Sequence, residues 1–224
     1  MKNLIRKLLI KPWVPYVFPF VLFLLLTESA RHFPEMSHLF YISKTILTGA
    51  LLWFWRHKFT PDLSQRLSFS GYFTGVLAGL LVLIIWVIPE AFLPQFGGQT
   101  GFNPYSFGWS KAATIALIGV RLFGAAVVVP VMEELFWRSF LLRYLINQDF
   151  LKVPVGAFSW FSFISTSILF GLEHNRIIVG IIAGLIYNLL LIRSKNLKTC
   201  ILAHGITNLG LGIYVLWSSN WLFW

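Results

Sequence analysis

Glu133, Glu134 and Arg138 lie in "VMEELFWRSF", residues 131–140, a stretch otherwise apolar enough to run inside a membrane. Ionisable groups at membrane depth are costly and normally face the protein interior or a wet cavity. On a helix, Glu134 and Arg138 are four residues apart and face one another, so they can pair. That pair is either a neutralised structural bridge or part of a reactive site. Glu133 sits about 100° further round the helix and has no such partner in its own segment. It needs a proton, a partner from another helix or water, and a carboxyl group so placed is a candidate general base. Pro130, just upstream, can loosen the backbone and admit water.

Two further groupings follow. In "FGLEHN" Phe170 and His174 are four apart on one helical face, and Glu173 and Arg176 beside the histidine leave it either interfacial or catalytic. In "HGITN" His204 and Asn208 are one turn apart and project together. They could cross-link helices or present two donors to one developing oxyanion. Two histidines and two glutamates could also hold zinc, but no His-Glu-x-x-His pair places two ligands on one helical face.

The elements that must position these groups are membrane helices. The chain has 224 residues, 57% hydrophobic and 12% charged, with 22 Phe and 10 Trp. Several apolar runs are long enough to cross a bilayer and lack the polar stripe of a water-exposed helix. Spans are expected at 13–27, 39–55, 71–92, 112–132 or on to 146, 156–174, 177–193 and 199–217. The fold class is therefore all-α, a polytopic transmembrane bundle of seven helices, or eight if the 112–146 region breaks in two, in a single membrane domain over 1–224. The formal charge of +10 falls in short clusters between the runs, which points to topology signals and the lipid bilayer as partner, not nucleic acid. Lys2, Arg6, Lys7 and Lys11 precede the first run, and no convincing cleavage site follows it, so it reads as a retained span. With a cytoplasmic N-terminus, seven spans put every basic cluster on the cytoplasmic side. The 93–110 connection is expected in the outer interface or as a lid. Gly71, Gly75 and Gly79, like Gly180 and Gly184, recur at the spacing of close helix packing, within the chain or between copies. The single Cys200 excludes an internal disulfide and a multi-cysteine zinc site.

The ordered set Glu-Glu-x-x-x-Arg, Phe-x-x-x-His and His-x-x-x-Asn, carried by Glu133, Glu134, Arg138, Phe170, His174, His204 and Asn208, resembles the CAAX prenyl protease and bacteriocin-immunity family. These are the CPBP or Abi membrane proteins, which include the Ras-converting type of endoprotease. The resemblance covers 112–217 and implies a glutamate-dependent intramembrane endopeptidase with its active site in a membrane-embedded cavity. It implies that Glu133 and His174 activate water, that His204 and Asn208 stabilise the oxyanion, and that Glu134 and Arg138 organise the site. It leans toward a mechanism with no metal and no cofactor. The substrate implied is a membrane-associated peptide or protein, with prenylation of a CAAX-type tail left open. A non-catalytic immunity or scaffold protein of the same family is the alternative, and a small transporter a third. Short loops and a plain basic N-terminus suggest a bacterial inner membrane.

A shared site makes one geometric demand. At about 1.5 Å per residue, Glu133 lies about 15 Å from the cytoplasmic boundary and His204 about 9 Å. A straight helix from Gly156 would carry His174 about 27 Å in, at the opposite surface. Convergence therefore predicts that the fifth span begins later, near Ile164.

Overall fold

Backbone inside a membrane must satisfy its own hydrogen bonds, and each long apolar run here does so as a helix. The computed structural model describes residues 11–88 and 101–224. Its main helices are α1 (Val14–His32), α2 (Ser37–Phe54), α3 (Phe69–Val87), α4 (Lys111–Tyr144), α5 (Trp160–Leu172), α6 (Ile177–Ser194) and α7 (Leu197–Ser218). No strand occurs among the described residues. Side-chain oxygens mark four of the helix starts by accepting an N–H that has no partner within the helix. Ser68 accepts from Gly71 (3.0 Å), Ser110 from Ala113 (3.4 Å), Ser159 from Ser162 (3.4 Å) and Asn196 from Lys198 (3.0 Å).

The all-α polytopic bundle expected from the sequence is the observed architecture, with three refinements. Five helices, α1, α3, α4, α6 and α7, are long and apolar enough to cross a membrane. The run expected as a second span forms α2, which carries His38 and Lys44 and is not among those five. The span expected over 156–174 is helical only from Trp160 to Leu172, 13 residues, or about 20 Å. The 112–146 region does not break in two. It is one helix of 34 residues whose course is altered by two wide-turn π segments, Gly124–Val128 and Leu135–Leu141.

Contacts between connections show which helix ends lie together. Tyr16 donates to the Lys58 carbonyl (3.2 Å), Asn196 Nδ2 to the Arg66 carbonyl (3.0 Å), and Arg143 pairs with Asp62 (2.9 Å). The connections after α2, α4 and α6 therefore share one end of the bundle. They carry the basic clusters read from the sequence. At the other end Phe102 N donates to the Trp224 carbonyl (3.0 Å) and the Arg176 guanidinium lies 3.8 Å from the Phe223 ring centroid. Lys2, Arg6 and Lys7, and residues 93–100 of the connection expected as interface or lid, lie outside the described residues. The rest of that connection makes a short turn, Pro104–Phe107, and packs Tyr105 against Trp221.

Both glycine ladders are used within the chain. A Cβ on Gly75 would stand 3.1 Å from the Thr199 carbonyl of α7, and one on Gly184 would stand 3.0 Å from Ser167 Cα of α5. Close approach of this kind draws α3 onto α7 and α6 onto α5. The opposite face of α3 leaves Leu77, Leu81 and Ile84 exposed, as a lipid-facing surface requires.

One ionic knot fastens the basic end. Asp62 accepts hydrogen bonds from Tyr16 (2.7 Å) and Ser139 (2.8 Å) as well as pairing with Arg143, and both charged residues are buried. Arg143 also donates to the backbone carbonyls of Ser139 and Val153. Removing one member of a buried pair strands the other charge, at about 3–5 kcal/mol. Asp62→Ala is therefore expected to lower the thermal unfolding midpoint of the detergent-purified protein markedly, and an unchanged midpoint would refute a structural role for the knot.

Candidate active site

The site is assembled around α4, whose irregular middle follows from Pro130. Proline has no N–H, so neither the Ala126 carbonyl in α-helical register nor the Ala125 carbonyl in π register can find its partner at position 130. Asn208 Nδ2 on α7 donates to the Ala125 carbonyl instead, at 2.9 Å. Gly205, one turn earlier on α7, permits the approach: a Cβ there would stand 2.8 Å from the Ala126 carbonyl. The freed carbonyls thus dock α7 and fix the side chain of Asn208. Residues Val129–Glu134 form the short regular piece between the two π segments, so the two glutamates sit where the helix face is being redirected. Such π turns recur at functional sites.

Glu134 is fully buried and joins two helices. Its Oε1 accepts from Arg138 Nη1 (3.2 Å) and lies 2.9 Å from His204 Nδ1. The pairing with Arg138 is the one its spacing predicts; that with His204 comes from the fold. The Arg138 guanidinium lies 4.3 Å from the centroid of Phe170 and 5.3 Å from that of Tyr187, an aromatic setting that suits a planar cation. Tyr187 in turn stacks on His204 (5.3 Å, 24°) and is hydrogen-bonded to Thr207 (2.8 Å), which donates to the Gly79 carbonyl on α3 (2.8 Å).

His174 lies past the end of α5, in the turn that leads to α6. Its Nδ1 is 2.7 Å from the Phe170 carbonyl. A carbonyl can only accept, so Nδ1 carries hydrogen, and in the neutral ring Nε2 is left as the basic nitrogen. Trp86 of α3 meets the ring edge-on at 5.2 Å and 75°. Next to it, Glu173 accepts from Trp137 Nε1 (3.1 Å).

Glu133, His174, His204 and Asn208 all line one cavity of about 230 Å³, with Trp86 and Tyr187 also in its wall. Glu133 is 5% exposed, and its Oε2 has no hydrogen-bond partner among the described residues. The geometric demand for a late-starting fifth helix is met in kind: α5 begins at Trp160, four residues after Gly156, which turns the chain with φ +80°. It does not start as late as Ile164. The short helix ends at Leu172, and the following turn brings His174 to the shared cavity. Glu134 and Arg138 lie behind the cavity wall and touch it through His204, Phe170 and Tyr187. Among the described residues, no group of three or more His, Cys, Asp or Glu side chains is placed to hold a metal ion.

Trp86, Tyr187 and the Ala125 carbonyl join the site without having been read from the sequence. The two aromatics sit singly in apolar runs and carry no spacing signal. Pro130 does carry one, because a proline within a helix names the carbonyls it leaves unpaired.

Residues 115–210, a little under half of the chain, match the family described as type II CAAX prenyl endopeptidase Rce1-like. The match supports a likeness of this region to that protease family. No curated protein and no solved structure matches the chain.

Arg138 is 1% exposed and Glu134 is 0% exposed, so their bridge has little solvent to replace it. Arg138→Ala leaves Glu134 with His204 alone and is expected to destabilise the protein by about 3–5 kcal/mol. Arg138→Lys should recover part of this, since lysine keeps the charge but lacks the planar fork. Thermal unfolding of the two variants beside wild type checks it, and equal midpoints for all three proteins would contradict the pairing.

Proposed function

We propose that this multi-pass membrane protein of the CAAX protease family is a glutamate-dependent endopeptidase that cleaves a membrane-associated peptide or protein. The observation that carries the reading is the convergence of Glu133, His174, His204 and Asn208, from two helices and a turn, on one cavity inside the bundle. A scaffold or immunity protein has no need of that convergence, and it favours the enzyme over the non-catalytic alternative.

The chemistry follows from the donors and acceptors. Glu133 and His174 Nε2 flank a water molecule and take its proton as the oxygen adds to the peptide carbonyl carbon. The carbonyl oxygen becomes an oxyanion. Asn208 has a second amide N–H beyond the one given to Ala125, and His204 offers Nε2–H when its ring is protonated. Glu134, which accepts from His204 Nδ1, stabilises that imidazolium. In a water-poor cavity two such donors act strongly on developing charge. Collapse of the tetrahedral intermediate expels the amine, which takes the proton held by Glu133 and His174. No step requires a metal or a cofactor. Arg138 holds Glu134 in place.

Residues 112–217 would carry the catalytic machinery within a single membrane domain over 1–224. The basic connections at one end of the bundle favour a cytoplasmic N-terminus and an inner-membrane location. Prenylation of the substrate is a property for the cleavage assay to decide, because an apolar peptide and a lipidated one both enter a cavity among membrane helices.

Cleavage of a fluorogenic peptide panel, including prenylated CAAX peptides, by the detergent-purified protein tests the reading. Glu133→Gln, nearly isosteric, is expected to abolish cleavage while leaving the unfolding midpoint close to wild type; wild-type activity in that variant would overturn the assignment. Asn208→Ala should lower kcat by about 10²–10³-fold if its amide serves the oxyanion, against little change if it only docks α7. Activity lost on adding a strong chelator would point to zinc in place of the water-activating pair.

A further inference from the structure

The proposed catalytic cavity shares a wall with a wider vestibule of about 680 Å³, and the residues common to both are Tyr41, Arg121 and Trp224. Among the described residues the vestibule is lined by Arg31, Lys44 and Arg121 and by no Asp or Glu. Arg31 is matched by Glu28 at 3.0 Å. Lys44 donates to Thr27 (2.9 Å), an uncharged partner. Three rings surround Arg121: its guanidinium lies 4.4 Å from the ring centroids of Tyr41 and Phe102 and 5.0 Å from that of Trp224, and its Nε is buried with no hydrogen-bond partner among the described residues.

Ring faces hold a guanidinium by its flat side. That leaves the edge carrying Nε open to a ligand, and a guanidinium edge is a bidentate match for a carboxylate. A half-buried cation in a membrane helix, with no acidic side chain among the described residues of its vestibule, is a functional feature by default. Here its missing partner is an anion, and the shared wall puts that anion next to the peptide-cleaving centre.

We infer that Arg121, with Lys44 behind it, is a specificity subsite for a carboxylate carried by the peptide substrate, which rests on the protease reading above. Arg121 precedes Glu133 by twelve residues in α4, about 18 Å along the axis. An extended peptide covers that span in about five residues, fewer with the reach of the arginine side chain. The carboxylate therefore lies a few residues from the scissile bond and sets where the peptide is cut.

The test uses peptide pairs that differ only in a carboxylate or its amide, placed at successive positions about three to six residues from the scissile bond. For the wild type, one position is expected to favour the acid by about 10- to 100-fold in kcat/KM, mainly through KM. That ratio should fall to about one in Arg121→Gln and be partly kept in Arg121→Lys, with unfolding midpoints showing that each variant is folded. No preferred position, or the same preference in Arg121→Gln, would overturn the subsite. Failure of the wild type to cleave any peptide would sink the protease reading instead. The subsite is then read by binding of the same pairs to Glu133→Gln, where tighter binding of the acid must vanish in the Glu133→Gln, Arg121→Gln double variant. Vesicles of phosphatidylglycerol against phosphatidylcholine complete the set: Arg121-dependent stabilisation by the anionic lipid, without any acid-to-amide difference, would make this a headgroup site and refute the proposal.

Discussion

A carboxylate sealed inside a membrane protein is tolerable only if its own chain supplies the compensating charge and hydrogen bonds, and the fold around α4 is organised by that requirement at Glu134. One oxygen of this side chain receives Arg138 from its own helix and faces His204 from α7. Because a buried ion pair gains stability only with good geometry and further satisfied donors, the surroundings are specified in turn. Phe170 and Tyr187 hold the Arg138 cation by its faces, Tyr187 stacks on His204, and Thr207 anchors Tyr187 to α3. A structural charge pair thus sets the position of α3, α5, α6 and α7 relative to α4. Glu133, its neighbour in sequence, lines the cavity these helices enclose, and its Oε2 has no hydrogen-bond partner among the described residues.

Backbone irregularity extends the same logic. Pro130 and the π segments on either side of Val129–Glu134 release carbonyls that a regular helix would consume, and α7 uses them through Asn208 while Gly205 allows the approach. The cost of interrupting a membrane helix is met where the freed groups find partners inside the protein. As a result one amide N–H of Asn208 is held by a backbone carbonyl.

Much of this was legible in the sequence because helical spacing is a strong constraint. The Glu134 and Arg138 bridge follows from four-residue spacing, and the same spacing puts His204 and Asn208 on one face and Phe170 beside His174. The requirement that three histidine- and glutamate-bearing segments meet also predicted a later start for the fifth helix, near Ile164; it starts at Trp160, later than Gly156 but four residues earlier than expected. What stayed hidden depends on contacts between distant segments. Nothing local marks Tyr187 or Trp86 as neighbours of the histidines, Asp62 as the partner of Arg143, or Arg121 as a cation set among three aromatic rings. The shift from α to π register in α4 was foreshadowed by Pro130 alone, and hydropathy could not show whether α2, with Lys44 facing Thr27, would meet the measure of a spanning helix.

The central claim is that Glu133, with His174, activates water for direct attack on a peptide bond. Single-turnover cleavage in ¹⁸O-labelled water, with enzyme in excess over peptide, tests it most directly. Direct attack places one ¹⁸O in the new carboxyl group of the product in the first turnover. An unlabelled first-turnover product, with label appearing in the Glu133 side chain, would show that the glutamate attacks as a nucleophile and would contradict the account.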